Sequence, residues 1–359
     1  MARKRNILHK PDTYDQKLEA ELLASGMPDT CEYRESYLSK IHFKRNNSFS
    51  TADLHEVCKT LAVFYLNSND VRFFNEYLWF SDNADQDKNL RDLVVAHFHN
   101  QLTSNATHPF PISEDKEHTA HLNDLLKKTA SAPQNYSQGN IALLGSPTFF
   151  TNIYKKLTSC GFNVKCFFIP HHQNSKVRLL FKNRLAFFIY RILKGCHIPY
   201  QKLAADHSNI SIGNELEKHN LNVGFHKLGF IIKPNIINAF KTGLINDHWG
   251  LLPYIRGRSS IEFSLLCGVP LATTSHLVES TIDTGPIVAC HSYEQATKLK
   301  SVSAIKKVIR SETDKRAAES IKILSSNQKP IAKNNTSKGL TFYSMHPALV
   351  KYIDTIILS

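Results

Sequence analysis

Three side chains in the second half of the chain have the chemistry that a carbonyl reaction needs. Asn246 and His248 stand two residues apart directly after an apolar run, and Asp283 follows a second short apolar run and precedes Thr284-Gly285. An amide can donate to a developing oxyanion, an imidazole can move a proton, and a carboxylate can orient that imidazole. These residue types therefore predict acyl or proton transfer, provided that the fold brings the two segments together.

The surrounding sequence places Asn246 and His248 at the end of one strand, and Asp283 in the loop that follows another. Residues 243–245 are predicted to form a strand that runs into Asn246, and residues 235–241 to form the helix that leads into it. Residues 275–278 are a second short strand, which leads to Asp283 in a glycine-containing loop. Side chains at such strand ends are placed to meet a ligand.

The region before the site predicts the fold. A strand over 141–144 is followed by the turn Gly145-Ser146-Pro147, a helix over 149–157 and a strand over 164–169, and residues 222–232 form a further strand with its loop. This order is typical of an α/β protein with a Rossmann-like, doubly wound and mostly parallel sheet.

Several cofactor classes are disfavoured by the same sequence. The first turn lacks G-x-G-x-x-G, and no Asp or Glu lies between Asp124 and Asp206 to hold a ribose, which argues against a nicotinamide dinucleotide. The seven cysteines are scattered without a C-x-x-C pair, which suits a reducing compartment. No metal is expected, because five histidines that follow one another lack a zinc-binding spacing. They are His97, His99, His108, His118 and His121.

A chain of 359 residues accommodates two domains. Residues 1–132 are predicted to form an additional α-helical N-terminal domain without recognisable chemistry, 133–139 a linker, 140–300 the catalytic domain, and 301–359 a C-terminal helical segment that packs on it. Apolar residues recur at helical spacing over 54–65, 73–80, 90–98, 122–128, 304–310 and 315–324.

The charge of the chain favours anionic partners. Its formal net charge is +13, and the stretch 176–194 mixes basic and apolar residues as an amphipathic helix does. Three interpretations stay open for that stretch: a structural helix with snorkelling basic side chains, a groove for an anionic substrate, or a patch on a membrane surface. No run reaches the roughly eighteen apolar residues of a membrane span, and no apolar segment follows the basic N-terminus, so we expect a cytoplasmic protein.

The central block resembles the signature of the folate-dependent formyltransferases, a family that includes methionyl-tRNA, glycinamide ribonucleotide and sugar-nucleotide N-formyltransferases. The family pattern is Asn-x-His, Leu-Leu-Pro after two residues, a nearby Arg-Gly, then Thr-x-His and an Asp seven residues later. The matching positions are Asn246, His248, Leu251, Leu252, Pro253, Arg256, Gly257, Thr274, His276, Asp283 and Gly285. Trp249, Ala272 and Ser275 depart from the residues usual at their positions.

The resemblance implies roles for residues in this sequence. Asn246, His248 and Asp283 would be catalytic: the amide and the imidazole would serve the developing oxyanion or the leaving nitrogen, and the carboxylate would hold the imidazole. The cosubstrate would be 10-formyltetrahydrofolate. The expected cosubstrate contacts are Gly250, Leu251, Leu252, Pro253, Ile231 and Ile232, and the expected acceptor contacts are Arg256, His276 and Ser146. For Arg256, a phosphate or carboxylate anchor and a pairing with an internal acid such as Glu262 are equally favoured.

The acceptor implied by the resemblance is a primary amine on a phosphorylated or nucleotide-linked small molecule, and an amino-sugar nucleotide is favoured. The turn Gly-Ser-Pro-Thr-Phe-Phe at residues 145–150 resembles that of family members acting on tRNA or sugar nucleotides. The alternatives are methionyl-tRNA or glycinamide ribonucleotide as acceptor, hydrolysis of the folate, and a non-catalytic relative that holds nucleic acid or a membrane surface.

Overall fold

A mostly parallel seven-stranded sheet organises the part of the molecule that carries the predicted site. In this computed structural model, the described residues are 14–28, 30–45, 49–82, 87–104, 135–169, 198–203, 210–326 and 328–358, with isolated positions at 8, 10, 11, 47 and 124. The basic stretch 176–194, nearly all of the helix predicted over 122–128, and His108, His118 and His121 lie outside the described residues.

The strands within these residues are β1 (Asn140–Gly145), β2 (Asn163–Phe168), β3 (Gln201–Lys202), β4 (Leu221–His226), β5 (Phe240–His248), β6 (Ile255–Gly257), β7 (Ala272–Leu277), β8 (Ile287–Ser292) and β9 (Leu340–Phe342). The large sheet has the order β3-β2-β1-β4-β5-β7-β8. Strands β1 to β5 run parallel, and β7 and β8 are antiparallel to their neighbours. β6 and β9 form a separate two-stranded sheet.

Within the described residues, helices surround the sheet and form the N-terminal region. The first five are α1 (Gln16–Leu23), α2 (Cys31–Phe43), α3 (Thr51–Ser68), α4 (Val71–Ser81) and α5 (Lys88–Ser104). The next seven are α6 (Pro147–Ser159), α7 (Ile210–Glu217), α8 (Pro234–Ile237), α9 (Ser260–Cys267), α10 (Val302–Ser311), α11 (Thr313–Ser325) and α12 (Pro347–Tyr352). The side chains of Asp15, Thr30, Ser50 and Asp70 accept from first-turn N–H groups and so start α1 to α4.

The α/β fold with an additional helical N-terminal region is confirmed. The helix predicted over 235–241 is wrong in extent, because α8 ends at Ile237 and the chain enters β5 at Phe240. Phe240 pairs with Leu221 of β4. The ladder to β4 thus satisfies backbone groups that a longer helix would have satisfied internally.

The N-terminal helices pack on the α/β region through one continuous apolar core that reaches from Leu61 and Phe98 to Phe263 and Ile353. The domain boundaries therefore stay a prediction. No helix in the described part of the chain is both long and apolar enough to cross a bilayer.

A polar layer joins these helices to the C-terminal segment 341–346. Arg45 pairs with the buried Glu76 and also donates to the carbonyl of Ser344, which accepts from Trp79 Nε1 at 3.1 Å as well. Arg72 pairs with Asp70 and Glu35 and donates to the carbonyl of Thr341. The N-terminal helices thereby hold the segment that contains β9.

A buried ion pair fixes α11 to the sheet behind the site. Arg316 and Asp247 are each 1% exposed, and the guanidinium donates to both carboxylate oxygens, with Nη2 to Oδ2 at 2.6 Å. Arg316 also donates to the Tyr293 hydroxyl and the Ile309 carbonyl. Because both charges are satisfied by close partners, the pair tolerates its desolvation.

We expect Asp247→Asn to destabilise the fold by about 3–5 kcal/mol, because Arg316 stays buried without a balancing charge. The double variant Asp247→Leu/Arg316→Met should lose much less, since apolar groups can replace a buried ion pair. Urea-unfolding midpoints followed by circular dichroism measure both. Lys218→Gln breaks an exposed pair with Glu215 and should leave the midpoint nearly unchanged. A double variant less stable than Asp247→Asn contradicts the expectation.

Candidate active site

The end of β5 brings Asn246 and His248 to the same face of the sheet, because side chains two residues apart on a strand point the same way. Asp247 points to the other face and meets Arg316. In the sheet register, Asn246 lies beside His226 of β4 and His276 of β7. Three adjacent strands therefore carry an imidazole, an amide and an imidazole at the same level.

Asp283 reaches this row from the loop between β7 and β8. Its backbone has φ 54°, a left-handed conformation that Asp and Asn adopt more readily than most residues. The Gly257 N–H donates to its Oδ2 at 2.9 Å, and the Asn334 side chain donates to its carbonyl at 2.9 Å. A side chain at Gly285 would collide with the carbonyl of Leu277, which explains the glycine that closes this loop.

The Asp283 carboxylate lies between two imidazoles and the amide. Its Oδ2 is 3.4 Å from His248 Nδ1, and its Oδ1 is 3.4 Å from both His276 Nε2 and Asn246 Nδ2. Asn246 Nδ2 is also 3.2 Å from His276 Nε2. The structure thus brings together the three predicted catalytic side chains and adds His276 to them.

The tautomers of the two imidazoles follow from their outer partners. His276 Nδ1 donates to the Leu277 carbonyl at 2.8 Å, which leaves Nε2 to accept from Asn246. His248 Nε2 donates to the Ile255 carbonyl at 2.8 Å, which leaves Nδ1 towards Asp283. His248 Nδ1 is therefore a proton acceptor whose protonated form the carboxylate would stabilise.

Burial and charge act in opposite directions on this pair. Burial raises the pKa of Asp283, but His248, His276 and the Gly257 N–H outweigh it and hold that pKa well below the usual range. Burial lowers the pKa of His248, and the negative charge of Asp283 opposes that shift. Asp283 thus favours a proton on the His248 imidazole, and burial of the ring opposes it.

Two cavities meet at this group. The larger, of about 580 Å³, is lined by residues from 226–232 and 278–283, by Arg258 and by Phe43 of α2. The smaller, of about 360 Å³, is lined by His248, Trp249 and residues from α9 and α10. Asn246 and Asp283 line both cavities. Two ligands could thus meet at the amide and the carboxylate.

His226 is a site residue that the sequence analysis missed. It lines the larger cavity, its Nδ1 accepts from the Leu228 N–H at 3.3 Å, and its buried Nε2 has no partner among the described residues. Burial, reinforced by Lys227, lowers the pKa of His226 to about 3. A neutral ring with a free Nε2–H can donate to a ligand. Its position at the end of a predicted strand was the available signal.

Four of the residues expected to contact the cosubstrate form a buried turn after β5. Leu251 and Leu252 are fully buried, and Gly250 through Pro253 line neither cavity described above. A Cβ on Gly250 would lie 2.8 Å from His248 Nε2, so this turn packs closely against the imidazole ring. These four residues are buried in the core, and their contact with the cosubstrate stays a prediction. Ile231 and Ile232 do line the larger cavity, as does His276.

Arg256 and Ser146 also lie outside both cavities. The Arg256 guanidinium donates to the carbonyls of Thr336 and Gly339, at 2.7 and 3.1 Å, and to Thr341 Oγ1 at 3.3 Å. It therefore ties β6 to the C-terminal segment, whereas Glu262 pairs with Lys306. The role of Arg256 as an anchor for the acceptor stays a prediction. Ser146 occupies the N-cap position of α6, directly after β1, without a capping hydrogen bond from its side chain.

The family model for formyl transferase matches residues 140–319, which is half of the chain. The chain belongs to the formyl transferase family. The match begins with β1 and includes the predicted catalytic residues Asn246, His248 and Asp283, whereas the N-terminal helices lie outside it.

Curated relatives align over a short part of this formyl transferase chain. It is 36% identical over 62 residues to methionyl-tRNA formyltransferase of Elusimicrobium minutum and 42% identical over 62 residues to that of Finegoldia magna. These matches cover 17% of this chain and only 19% and 20% of those proteins.

Several solved structures are similar to this chain at low identity and low TM-score. A sugar N-formyltransferase from Shewanella is 14% identical with a TM-score of 0.43, over 58% of this chain and 77% of that one. A 4-N formyltransferase from Francisella tularensis is 21% identical with a TM-score of 0.42, over 57% and 76%. Methionyl-tRNA formyltransferase from Clostridium thermocellum is 14% identical with a TM-score of 0.34, over 58% and 74%.

We expect Asp283→Asn to lower the pKa of His248 further, because it removes the negative charge that stabilises the imidazolium against burial. Histidine titration by NMR measures this in the folded protein. His97, a buried histidine of α5 whose pKa is also lowered by burial, is the internal reference and should titrate as in the wild type. A His248 pKa that rises or stays constant contradicts the assigned pairing.

Proposed function

We propose that this formyl transferase moves the formyl group of 10-formyltetrahydrofolate to a primary amine on an amino-sugar nucleotide. The observation that carries the proposal is that Asn246 and Asp283 line both cavities, with His276 on the larger side and His248 on the smaller. A transfer between two bound molecules needs such a shared boundary. The Asn-x-His signature supplies the formyl chemistry.

The larger cavity fits the pterin and benzoyl parts of a folate. Leu228, Phe230, Ile232 and Val278 give it apolar walls, and the orphan His226 Nε2 gives it a buried polar contact. Pockets for aromatic ligands combine apolar walls with few, precisely placed polar groups in this way. The residues that would hold the folate are therefore those of 226–232 and 278–282.

The catalytic group has a role for each side chain. The folate supplies the formyl group, whose carbon bonds to the amine nitrogen while its bond to the folate nitrogen breaks. Asn246 Nδ2, whose contacts to Asp283 and His276 are long, donates to the oxygen that becomes negative. His248 Nδ1 takes the proton that the amine loses, with Asp283 stabilising the imidazolium, and returns it towards the leaving nitrogen. No covalent enzyme intermediate is required.

The size of the smaller cavity favours a small acceptor. A volume of about 360 Å³ accommodates a sugar ring and part of its substituents. Incubating the protein with 10-formyltetrahydrofolate and a panel of amino-sugar nucleotides, methionyl-tRNA and glycinamide ribonucleotide tests the proposal by folate absorbance. Turnover with an amino-sugar nucleotide supports it. Turnover only with another acceptor, or formate release without any amine, overturns it.

Asn246→Ala is expected to lower kcat by about two to three orders of magnitude, because it removes one donor to the oxyanion. Steady-state rates with saturating folate and amine measure the loss. Asn238→Ala changes an exposed amide at the end of α8 and should keep the wild-type rate. Equal rates for the two variants would remove Asn246 from the mechanism.

Phe43→Ala is expected to raise KM for 10-formyltetrahydrofolate by about five- to tenfold and to leave kcat nearly unchanged, because an aromatic contact at the cavity is lost. Phe43 belongs to the N-terminal helices, is 71% exposed and lines the larger cavity. Leu23→Ala removes another exposed apolar side chain of these helices, remote from that lining, as the matched control. An unchanged KM for Phe43→Ala excludes these helices from cosubstrate binding.

A further inference from the structure

Two side chains that line the smaller cavity each have a buried polar atom without a partner among the described residues. Glu262 is 4% exposed; Lys306 donates to its Oε1, whereas its Oε2 accepts no hydrogen bond. The buried Nε1 of Trp249 also lacks an acceptor. Both side chains line the cavity. Buried polar atoms in folded proteins are almost always satisfied, so an unsatisfied acceptor and donor in one cavity point to a polar ligand.

The charges around the cavity narrow the chemistry of that ligand. Of its other acids, Asp247 is paired with Arg316, and Asp283 lies between two imidazoles. Arg310 is exposed on α10, with its guanidinium 5.6 Å from the centroid of the Trp249 ring. The residues that line the cavity thus include a buried carboxylate with one unpaired oxygen, an indole with an unpaired N–H and an exposed guanidinium, together with Lys227 and Lys306.

We propose that Glu262, Trp249 and Arg310 select a phosphorylated, hydroxyl-bearing amine in this cavity. A ligand hydroxyl donates to Glu262 Oε2, a ligand oxygen accepts from Trp249 Nε1, and a phosphate pairs with Arg310. The neutral reacting amine then lies towards His248, a residue that lines the same cavity. This inference rests on the proposed function, because it identifies the residues that choose the acceptor.

Lys306 has a different role from Glu262. Its ammonium group satisfies one carboxylate oxygen and leaves the other for the ligand. If Glu262 served only to hold Lys306, then Lys306→Met and Glu262→Gln would have the same effect on ligand binding. Under the inference, only Glu262→Gln removes the charged acceptor that the ligand hydroxyl meets. The two variants therefore distinguish a Glu262 that only holds Lys306 from a Glu262 that binds the ligand.

Titration calorimetry with uridine-diphosphate and thymidine-diphosphate amino sugars, and with the same sugars free of phosphate, tests the inference. We expect the nucleotide sugars to bind the wild type, and Glu262→Gln and Trp249→Phe to weaken them about tenfold, as for loss of one buried hydrogen bond to the ligand. Lys306→Met should keep most of the affinity. Arg310→Gln should weaken the nucleotide sugars and leave the phosphate-free sugars unchanged.

Glu319→Gln provides the matched control, because this carboxylate is also partly buried and paired with a base, His291, but lies outside the cavity lining. No binding of any probe to the wild type, equal affinities for wild type and Glu262→Gln, or equal losses in Glu262→Gln and Lys306→Met overturn the inference. Binding that depends on Glu262 without formyl transfer refutes only the proposed reaction. If formyl transfer occurs and the acceptor KM is the same in the wild type and Glu262→Gln, only the role of Glu262 in selecting the acceptor is refuted.

Discussion

The site depends on one constraint: the Asp283 carboxylate must stay ionised in a buried position between two imidazoles. Burial alone would favour the protonated acid, and the neighbouring imidazoles together with the Gly257 N–H reverse that preference. The backbone pays for this placement with a left-handed φ at Asp283, which the hydrogen bond from Asn334 helps to hold. A charge fixed in this way can stabilise a proton on His248 without moving during the reaction.

The rest of the fold maintains that geometry from both sides of the sheet. Alternation along β5 turns Asn246 and His248 towards the cavities and Asp247 towards Arg316. One strand therefore carries two side chains of the candidate site and the carboxylate that fixes the strand to α11. Gly257 belongs to β6, which pairs with β9. The N-terminal helices donate hydrogen bonds to the segment that contains β9. The N–H that faces Asp283 is therefore held by contacts that begin outside the region matching the family.

The two cavities are lined by different parts of this formyl transferase. The larger cavity is walled mainly by loops after β4 and β7, whereas the smaller one lies against α9 and α10. In the proposed reaction, the amide and the carboxylate on the shared boundary would face both ligands, with His276 on the larger side and His248 on the smaller. Such a boundary favours direct transfer, because neither ligand has to leave its own site before the acyl group moves.

Local spacing in the sequence predicted a strand that leads into Asn246 and His248, and a glycine-containing loop that carries Asp283. Tertiary structure alone decided that Arg256 turns to the C-terminal segment, that the Gly250 turn is core, and that His226 and Glu262 join the cavities. Strand periodicity is a short-range property that a sequence displays directly. The direction and partners of a side chain depend on pairings such as β6 with β9, between residues about eighty-five positions apart, which no local pattern encodes.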